Sequence, residues 1–370
     1  MPYKVRFVNP VINYRMIKAE IDAAYFDVMS RGDLIDRGQL KQFERNLARF
    51  VGTKYAVGLN SGYDALHMSL RAAGIGAGDE VIVPAHTFVA TCSAVVNVGA
   101  KPVLVDVGKD FNIDCDKIEE AVTPRTKAII PVHLSGWMAD MVRVMEIADR
   151  HGLTVVEDAC QSLGSNMSGK MAGAWGLTGC WSFYPFKILG GYGDGGAITT
   201  DDRDVAQFAA RMRYNGEDRE TGEYHGHGFT CLLDNLQAAF LDVKLRYLPS
   251  WIEKRKALAE RYREALADIP DLLLPDYDDP RRDHIYQNYT LRAKQGSEFS
   301  DFLKANGVEV LTQFRKPYYR HEALTLEDRG FPETEALSRE VCSLPMNVEI
   351  TEDQVGYVIS VVRRFYGKVT

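Results

Sequence analysis

The sequence predicts an α/β protein with two lobes, a larger one built on a mostly parallel sheet and a smaller α+β one. The first observation is length, because 370 residues are more than one hydrophobic core usually organises. The second is composition, since 46% hydrophobic and 26% charged residues are typical of a folded globular chain. The third is a change of pattern near residue 200, where alternating short segments give way to long helical ones.

The first 200 residues carry the signals of repeated strand–helix units. Short apolar runs predict strands at 54–59, 79–85, 101–107, 127–133, 153–159 and 178–184. Helical periods lie between some of them, at 64–74, 87–99 and 141–152. Strands that alternate with helices pair in parallel, and the helices cover both faces of the sheet. Ligands of such sheets lie beyond the carboxyl ends of the strands.

The rest of the chain predicts a helical bridge and a smaller lobe. One or two long helices are expected over 233–269, and Pro249 marks the point at which they would divide. A connector rich in Pro and Asp follows, and then a strand, a helix, a strand and a final amphipathic helix are predicted at 285–293, 297–307, 308–314 and 351–367. We therefore expect a large cofactor-binding domain with the N-terminal segment over 1–245, and a small C-terminal domain with the bridging helix over 246–370.

Charge and cysteine content exclude several classes of protein. The net charge is −7 and no basic tract exists, which argues against nucleic acid as a partner. No apolar stretch is long enough to cross a bilayer and the N-terminus has no apolar signal core, so we expect a cytoplasmic protein without membrane contact. The cysteines are dispersed without a C-x-x-C pair, which predicts reduced thiols and no metal site. They are Cys92, Cys115, Cys160, Cys180, Cys231 and Cys342.

A glycine-rich segment, SFYPFKILGGYGDGGAITT at 182–200, contains a formal G-x-G-x-x-G motif. A dinucleotide loop needs these glycines between a strand and a helix, whose N-terminus binds the pyrophosphate. Here a short β-prone run follows the glycines, so the context is strand, loop, strand, and the dinucleotide interpretation fails. Five glycines beside Lys187 instead indicate close approach of the backbone to another group.

Lys187 has a candidate partner in Asp158, which ends the apolar strand LTVVEDA. Both residues are expected on the same rim of the sheet. A lysine that forms a Schiff base and an acid that pairs with a pyridinium nitrogen are the two groups that a pyridoxal phosphate (PLP) site requires. Taken singly, a surface lysine and a capping aspartate would be the simpler interpretation.

Two further segments support a cofactor site. In GLNSGYDALHMSL a strand leads through Ser61, Gly62 and Tyr63 into a helix, which is a cradle for an anion, although helix capping by Ser61 or Asn60 would use the same residues. In PAHTFVAT, His86 and Phe88 follow another strand. An aromatic ring at that point could stack on a flat cofactor, and alone it would be taken for a core residue.

These segments, together with PVHLSGWMADM, VVEDACQSLGS and LDNLQAAFLDVKL, resemble the DegT/DnrJ/EryC1/StrS family of sugar aminotransferases, which are PLP enzymes of the aspartate-aminotransferase fold (type I). The resemblance covers nearly the whole chain. It implies that Lys187 forms the Schiff base and Asp158 pairs with the ring nitrogen. Further implied cofactor residues are Gln161 near the ring or its 3′-oxygen, Phe88 stacked on the ring, and Ser61, Gly62 and Ser182 around the phosphate. The family works as a homodimer with active sites at the subunit interface.

The chain departs from the family pattern at several positions. Tyr63 stands where threonine is usual, so one hydroxyl contact to the phosphate would be lost or replaced by a backbone group. Thr230 replaces the asparagine that reaches the phosphate across the dimer interface, and Leu232 replaces an arginine. A threonine hydroxyl could take over that contact. Phe186 precedes the lysine where threonine or serine is common, which would narrow the pocket. The dehydrating branch of the family has histidine in place of the lysine, so Lys187 favours amino transfer.

We therefore hypothesise a ping-pong transamination, in which an amino group passes from an amino acid to a keto sugar. L-Glutamate is the expected donor, and the product would serve amino-sugar or surface-polysaccharide biosynthesis. The form of the lysine segment resembles relatives that act on nucleotide-linked 3-keto sugars more than those that act at C4. Alternatives are a free keto sugar acid as substrate, a PLP-dependent sugar dehydration or deamination, and a non-catalytic PLP-binding regulator. Candidate substrate-binding residues are His86, Tyr192, Arg315, Tyr318 and His321.

Overall fold

A seven-stranded sheet forms the centre of the larger lobe in the computed structural model, which describes residues 3–275 and 279–368. Its strands are β1 (Tyr55–Leu59), β2 (Glu80–Pro84), β3 (Lys101–Val105), β4 (Thr126–Ile129), β5 (Thr154–Asp158), β8 (Thr178–Ser182) and β9 (Gly196–Thr200). Their order is β1-β9-β8-β5-β4-β2-β3. Only β9 runs antiparallel to its neighbours, so the sheet is mostly parallel, as predicted.

The remaining strands belong to two three-stranded sheets. One joins β6 (Asn166–Met167), β7 (Lys170–Met171) and β11 (Arg282–Asp283), and the other joins β10 (Leu272–Leu273), β12 (Tyr289–Ala293) and β13 (Val341–Leu344). The helices are α1 (Pro10–Met16), α2 (Lys18–Arg31), α3 (Gly38–Val51), α4 (Gly62–Ala72), α5 (Val89–Asn97), α6 (Cys115–Ala121), α7 (Met141–His151), α8 (Arg203–Met212), α9 (Asn235–Leu266), α10 (Gly296–Ala305), α11 (Pro332–Glu340) and α12 (Glu352–Phe365).

Alternation along the strands divides the large lobe into two cores. In β5, Val155 packs into a core with α3, α7 and α9, whereas Val156 packs into a core with α4, α5 and α8. In β2, Ile82 and Val83 divide between the same two cores. Because successive strand side chains point to opposite faces, apolar runs without alternation are what a sheet covered on both sides requires.

The long helix α9 continues through Pro249 for 32 residues, so the break considered at that proline is absent. Proline in a helix removes a backbone hydrogen bond and costs about 3 kcal/mol. Buried side chains on both sides of it, including Leu245, Leu248, Trp251 and Ile252, fix the helix against the large lobe. Their packing outweighs the local penalty.

The smaller lobe has its own core around β10, β12 and β13, covered by α10 and α12. The last turns of α9 enter this core from Leu258 onward, whereas Ile252 still belongs to the large lobe. Val5 joins the small-lobe core and bridges Val308, so the N-terminal segment packs against the C-terminal lobe. The division at 245/246 stays a prediction.

Two predicted strands differ from the structure. The strand expected at 285–293 begins only at Tyr289. The strand expected at 308–314 does not form, because this segment makes single bridges to two different partners, Val5↔Val308 and Leu311↔Ser343. A ladder needs several consecutive pairs with one neighbour. Across the described ranges, no helix is long and apolar enough to cross a membrane.

Candidate active site

The carboxyl ends of the parallel strands meet at one edge of the central sheet and line a cavity of about 780 Å³. Ser61 and Gly62 follow β1, Phe88 follows β2, Asp158 ends β5 and Ser182 ends β8, and all of these line the cavity. A volume of several hundred Å³ is typical of small-molecule sites. The cavity therefore lies beyond the carboxyl ends of the strands, where ligands of such sheets are expected.

Asp158 lies at the floor of this cavity with only 6% of its surface exposed. Thr91 on α5 donates its hydroxyl to Asp158 Oδ2 at 2.8 Å, and the backbone N–H of Cys160 donates to Oδ1 at 3.3 Å. Thr91 is itself bonded to the hydroxyl of Thr87 at 3.0 Å. These hydrogen bonds fix the orientation of the Asp158 carboxyl group at the cavity floor.

The preceding residue, Glu157, has a different role although it is equally acidic and fully buried. Its carboxylate accepts backbone hydrogen bonds from Gly173, Trp175 and Gly176 at 2.7–2.8 Å. It also bonds His133 Nε2 at 3.0 Å. Neighbouring strand residues point to opposite faces, so only Asp158 of this acidic pair lines the cavity.

Lys187 projects into the same cavity from the loop between β8 and β9. A turn holds its backbone, in which the Lys187 N–H donates to the Tyr184 carbonyl at 2.8 Å. The side chain is half-buried, and loss of hydration lowers the pKa of its amine, with Cys160 and Asp158 acting in the opposite direction. A lysine with a lowered pKa carries more of its neutral, nucleophilic form at neutral pH.

The N-terminus of α4 supplies the anion cradle. Ser61 caps this helix, since its Oγ accepts the Asp64 N–H at 3.1 Å and donates to Asp64 Oδ2 at 2.7 Å. Gly62 is the first helical residue, and a Cβ there would lie 2.7 Å from Cys160 Sγ and 2.8 Å from Ser182 Cβ. The three chain segments thus meet closely where the helix dipole favours a phosphate.

Phe88 stands at the cavity wall with 56% of its surface exposed, open to a flat ligand. His86 lies behind the wall, buried against the rings of Phe111 and Phe314, and does not line the cavity. Burial lowers the pKa of His86 to about 4, so the ring is neutral at physiological pH. Its position argues against the direct substrate contact that was expected of it.

Gln161, Tyr63 and Thr230 were also expected to bind the cofactor, and only the first two line the cavity. Gln161 lines the cavity, and its Oε1 accepts the Ser135 N–H at 2.9 Å. Tyr63 borders the cavity, but its hydroxyl accepts a hydrogen bond from Asn97 at 2.6 Å, on the side of α5. Thr230 is exposed outside the cavity and donates to Asn215 Oδ1 at 3.0 Å. Thr230 therefore reaches no part of this chain's own site.

The remaining expected substrate residues do not line the cavity. Tyr192 packs under Lys244, whose Nζ lies 3.8 Å from the ring centroid. Arg315 turns into the small lobe and donates to the Gly296 carbonyl and to Ser300. Tyr318 is buried and donates to the Pro84 carbonyl at 3.0 Å, and His321 is exposed on the surface. None of these four side chains lines the cavity of this chain.

Several cavity residues carried no signal in the sequence. The small-lobe side of the wall combines the polar residues Gln287, Asn288, Thr312 and Gln313 with the apolar residues Val310, Leu311 and Phe314. Cys160 and Asp194 complete the large-lobe side. The small-lobe residues lie in segments predicted as strands, and only the approach of the two lobes brings them to the site.

Comparison with known proteins gives a consistent result. Residues 15–363 match the model of the DegT/DnrJ/EryC1/StrS aminotransferase family. The chain is 39% identical over 370 residues to the dTDP-3-amino-3,4,6-trideoxy-alpha-D-glucose transaminase of Streptomyces venezuelae, covering 99% of this chain and 97% of that one. It is also 39% identical over 358 residues to a pleiotropic regulatory protein of Geobacillus stearothermophilus, covering 95% and 96%.

A solved structure with a closely similar fold is known. The crystal structure of S. venezuelae DesV in complex with a ketimine intermediate superposes with a TM-score of 0.95 at 39% identity, and the match covers 100% of both chains. The two lobes therefore have the fold of solved aminotransferases.

Proposed function

The chain belongs to the DegT/DnrJ/EryC1/StrS aminotransferase family, and from this premise we propose that it moves the amino group of L-glutamate to a nucleotide-linked 3-keto-deoxy sugar. It is an aminotransferase whose cofactor is PLP. The observation that supports the site assignment is that Lys187, Asp158 and the cradle at Gly62 line one cavity although they are far apart in sequence.

The residues present fit the cofactor. The Gly62 cradle, which a single Cβ would fill, suits its phosphate, and the buried carboxylate of Asp158 suits a protonated ring nitrogen. Phe88 is free to cover the ring face, and Ser61, Ser182 and Gln161 line the same space. When bound, PLP supplies a carbonyl that takes up the amino group and a ring that accepts electrons.

Lys187 and Asp158 divide the chemical work. Lys187 Nζ would bind the cofactor carbonyl and, once displaced by the donor, would carry a proton between the carbon that loses it and the carbon that gains it. Its lowered pKa suits both tasks, because each requires the neutral amine. Asp158 would keep the ring nitrogen protonated, and Thr91 holds the carboxylate in place at 2.8 Å.

The charge of the cavity wall supports the homodimer. Among the described residues that line the cavity, Lys187 is the sole basic residue, whereas Asp158 and Asp194 are acidic. The diphosphate of a nucleotide sugar would bind poorly to such a wall. A second subunit that adds cations would complete the site, which agrees with the shared active sites that the family resemblance implies.

The position of Arg315 does not separate a nucleotide sugar from a free keto sugar acid. This arginine was a candidate to bind either a diphosphate or a carboxylate, and its guanidinium donates hydrogen bonds within the small lobe instead. The printed name of the S. venezuelae relative describes a dTDP sugar aminated at carbon 3. That name supports the nucleotide-linked 3-keto sugar as the proposed substrate of this chain.

A half-reaction with defined sugars tests the substrate. The enzyme loaded with pyridoxamine phosphate is expected to aminate a dTDP-linked 3-keto-deoxy sugar, with at least a tenfold preference over the 4-keto isomer and over the sugar without its nucleotide. Mass spectrometry of the product measures the added amine. Amination of the 4-keto isomer alone, or equal rates without the nucleotide, would contradict the proposal.

Replacing Gly62 with alanine is expected to weaken PLP binding by about 100-fold, because the new Cβ would press against Cys160 and Ser182 in the phosphate cradle. Equilibrium dialysis of the cofactor measures the loss. Gly38→Ala is the matched control, since Gly38 also begins a helix and nothing lies within 4 Å of a Cβ there. Equal affinities of the two variants would disprove the cradle.

A further inference from the structure

We infer that Gln287 is a positioning residue for Lys187, because its side-chain amide bonds the backbone on both sides of the lysine. Gln287 Oε1 accepts the Ile188 N–H at 2.7 Å, and Gln287 Nε2 donates to the Phe186 carbonyl at 3.1 Å. Gln287 is 5% exposed and comes from the segment before β12, 99 residues from Ile188 in sequence. The small lobe thus holds the peptide from which Lys187 projects.

The chemistry of the partners determines the orientation of this amide. A backbone N–H can only donate and a backbone carbonyl can only accept, so the oxygen of Gln287 must face Ile188 and its nitrogen must face Phe186. A flipped amide would bring two donors together at one end and two acceptors at the other. Among the common side chains, a primary amide provides both functions at one end, and glutamine has the reach seen here.

Gln287 is in turn held by contacts from two other elements. Arg255 on α9 is 6% exposed, and its Nη1 donates to the carbonyls of Tyr286 at 2.9 Å and Gln287 at 3.2 Å. On the other side, the turn after β4 approaches so closely that a Cβ at Gly136 would lie 2.9 Å from the backbone nitrogen of Gln287. These contacts hold the backbone from which the Gln287 side chain reaches the lysine loop.

The two hydrogen bonds from Gln287, which we call the Gln287 clamp, hold a loop that has no regular secondary structure around Lys187. Residues between Ser182 and Gly196 belong to no helix or strand, so the ladder of β8 and β9 does not reach Lys187. The two Gln287 bonds fix the peptide groups that flank the lysine, and a fixed backbone limits where Nζ can move. Misplacement of a reacting group by about 1 Å can cost about 100-fold in rate, so such fixation matters to catalysis.

The experiment compares Gln287→Met, which keeps length and removes the amide, with Gln287→Asn, which keeps the amide and shortens its reach. The inference rests on the proposed role of Lys187, so one measurement is independent of the sugar. In the full-length chain freed of cofactor, competitive acetylation followed by mass spectrometry gives the pH midpoint of Lys187. Asp158 and Cys160, the charged or titratable groups that act on this amine, stay unchanged in both variants.

Asn235→Leu is the matched control. Asn235 is a fully buried amide that also bonds the backbone, accepting the Leu40 N–H at 2.9 Å and donating to the Asp33 carbonyl, but it lies outside the cavity. It tests whether any lost buried amide produces the same effect.

For Gln287→Met we expect a midpoint raised by about one pH unit toward the ordinary lysine value, because a looser loop lets water reach the amine. In the holoenzyme we expect kcat to fall about tenfold or more, with KM for the keto sugar within about twofold. Gln287→Asn is expected to change in the same direction, and Asn235→Leu to lose stability without a shift of the midpoint.

Two outcomes would overturn the inference. An unchanged midpoint in both Gln287 variants would show that the amide does not position the lysine. A raised KM with unchanged kcat would assign Gln287 to direct substrate binding instead. If Gln287→Met does not fold, Gln287→Asn carries the same test. If no sugar substrate is aminated but the pH midpoint of Lys187 acetylation still shifts, the result counts against the proposed function and supports the role of Gln287.

Discussion

Lys187→Ala is expected to lower kcat for transamination by about four orders of magnitude, the upper range for a positioned acid–base group that also acts as the nucleophile. No other lysine lines the cavity among the described residues, so none can take over the proton transfer. Release of 2-oxoglutarate from L-glutamate, followed under multiple turnovers, measures the loss. The fold should be unaffected, because the lysine side chain is half-buried and its removal leaves no buried polar group unpaired.

Two further variants sharpen this test. Lys187→Arg keeps a positive charge but cannot become neutral near pH 7, so it should be as inactive as the alanine variant. Lys109→Ala, on an exposed turn, should retain wild-type rates. A Lys187→Ala enzyme within tenfold of wild type would contradict the mechanism.

The same lysine predicts the pH dependence of cofactor uptake by the cofactor-free chain. Burial lowers its pKa below the ordinary value of 10.5, so the amine loses its proton at a lower pH than a free lysine does. Uptake should therefore rise with pH and level off below 10.5. Stopped-flow measurement of the rate of cofactor uptake as a function of pH checks this. A rise in rate centred at or above 10.5 would contradict a lowered pKa of Lys187.

Asp158→Asn is expected to reduce kcat by about 100- to 1,000-fold, the range for loss of one preorganised electrostatic contact in an active site. Asparagine is nearly isosteric: its amide oxygen can still accept the Cys160 N–H, and its amide nitrogen can donate to the Thr91 hydroxyl oxygen, which accepts as well as donates. The variant therefore removes the charge and leaves the shape. Steady-state kinetics at saturating cofactor separates this loss of kcat from weaker cofactor binding.

Glu157→Gln is the control that the structure provides. Glu157 is adjacent to Asp158 and also buried, but its carboxylate bonds three backbone N–H groups away from the cavity. This variant should lower the free energy of unfolding by about 1–3 kcal/mol and leave kcat of the folded enzyme unchanged. Equal kinetic losses at both positions would mean that the charge of Asp158 has no special role.

Much of the architecture could be predicted because it depends on local pattern. The apolar runs that became β1, β2, β3, β5 and β8 contain no polar alternation, which is the property of strands buried on both faces. Asp158 could be singled out because it ends such a run, and Lys187 because it follows one closely. Pro249 was judged by its local helix penalty, and the packing of α9 against the large lobe overrode that penalty.

The sequence by itself determined the fold class and predicted the edge of the sheet and the lysine–aspartate pair proposed for the site, because ligands of parallel sheets lie beyond the carboxyl ends of the strands. Only the tertiary structure decided which polar residues reach that edge. Arg315 and Tyr318 donate hydrogen bonds to backbone carbonyls outside the cavity. Gln287 contacts the lysine loop, and Thr91 contacts Asp158. These contacts join residues remote in sequence, and a hydrogen bond between them depends on how lobes and helices pack rather than on any local pattern.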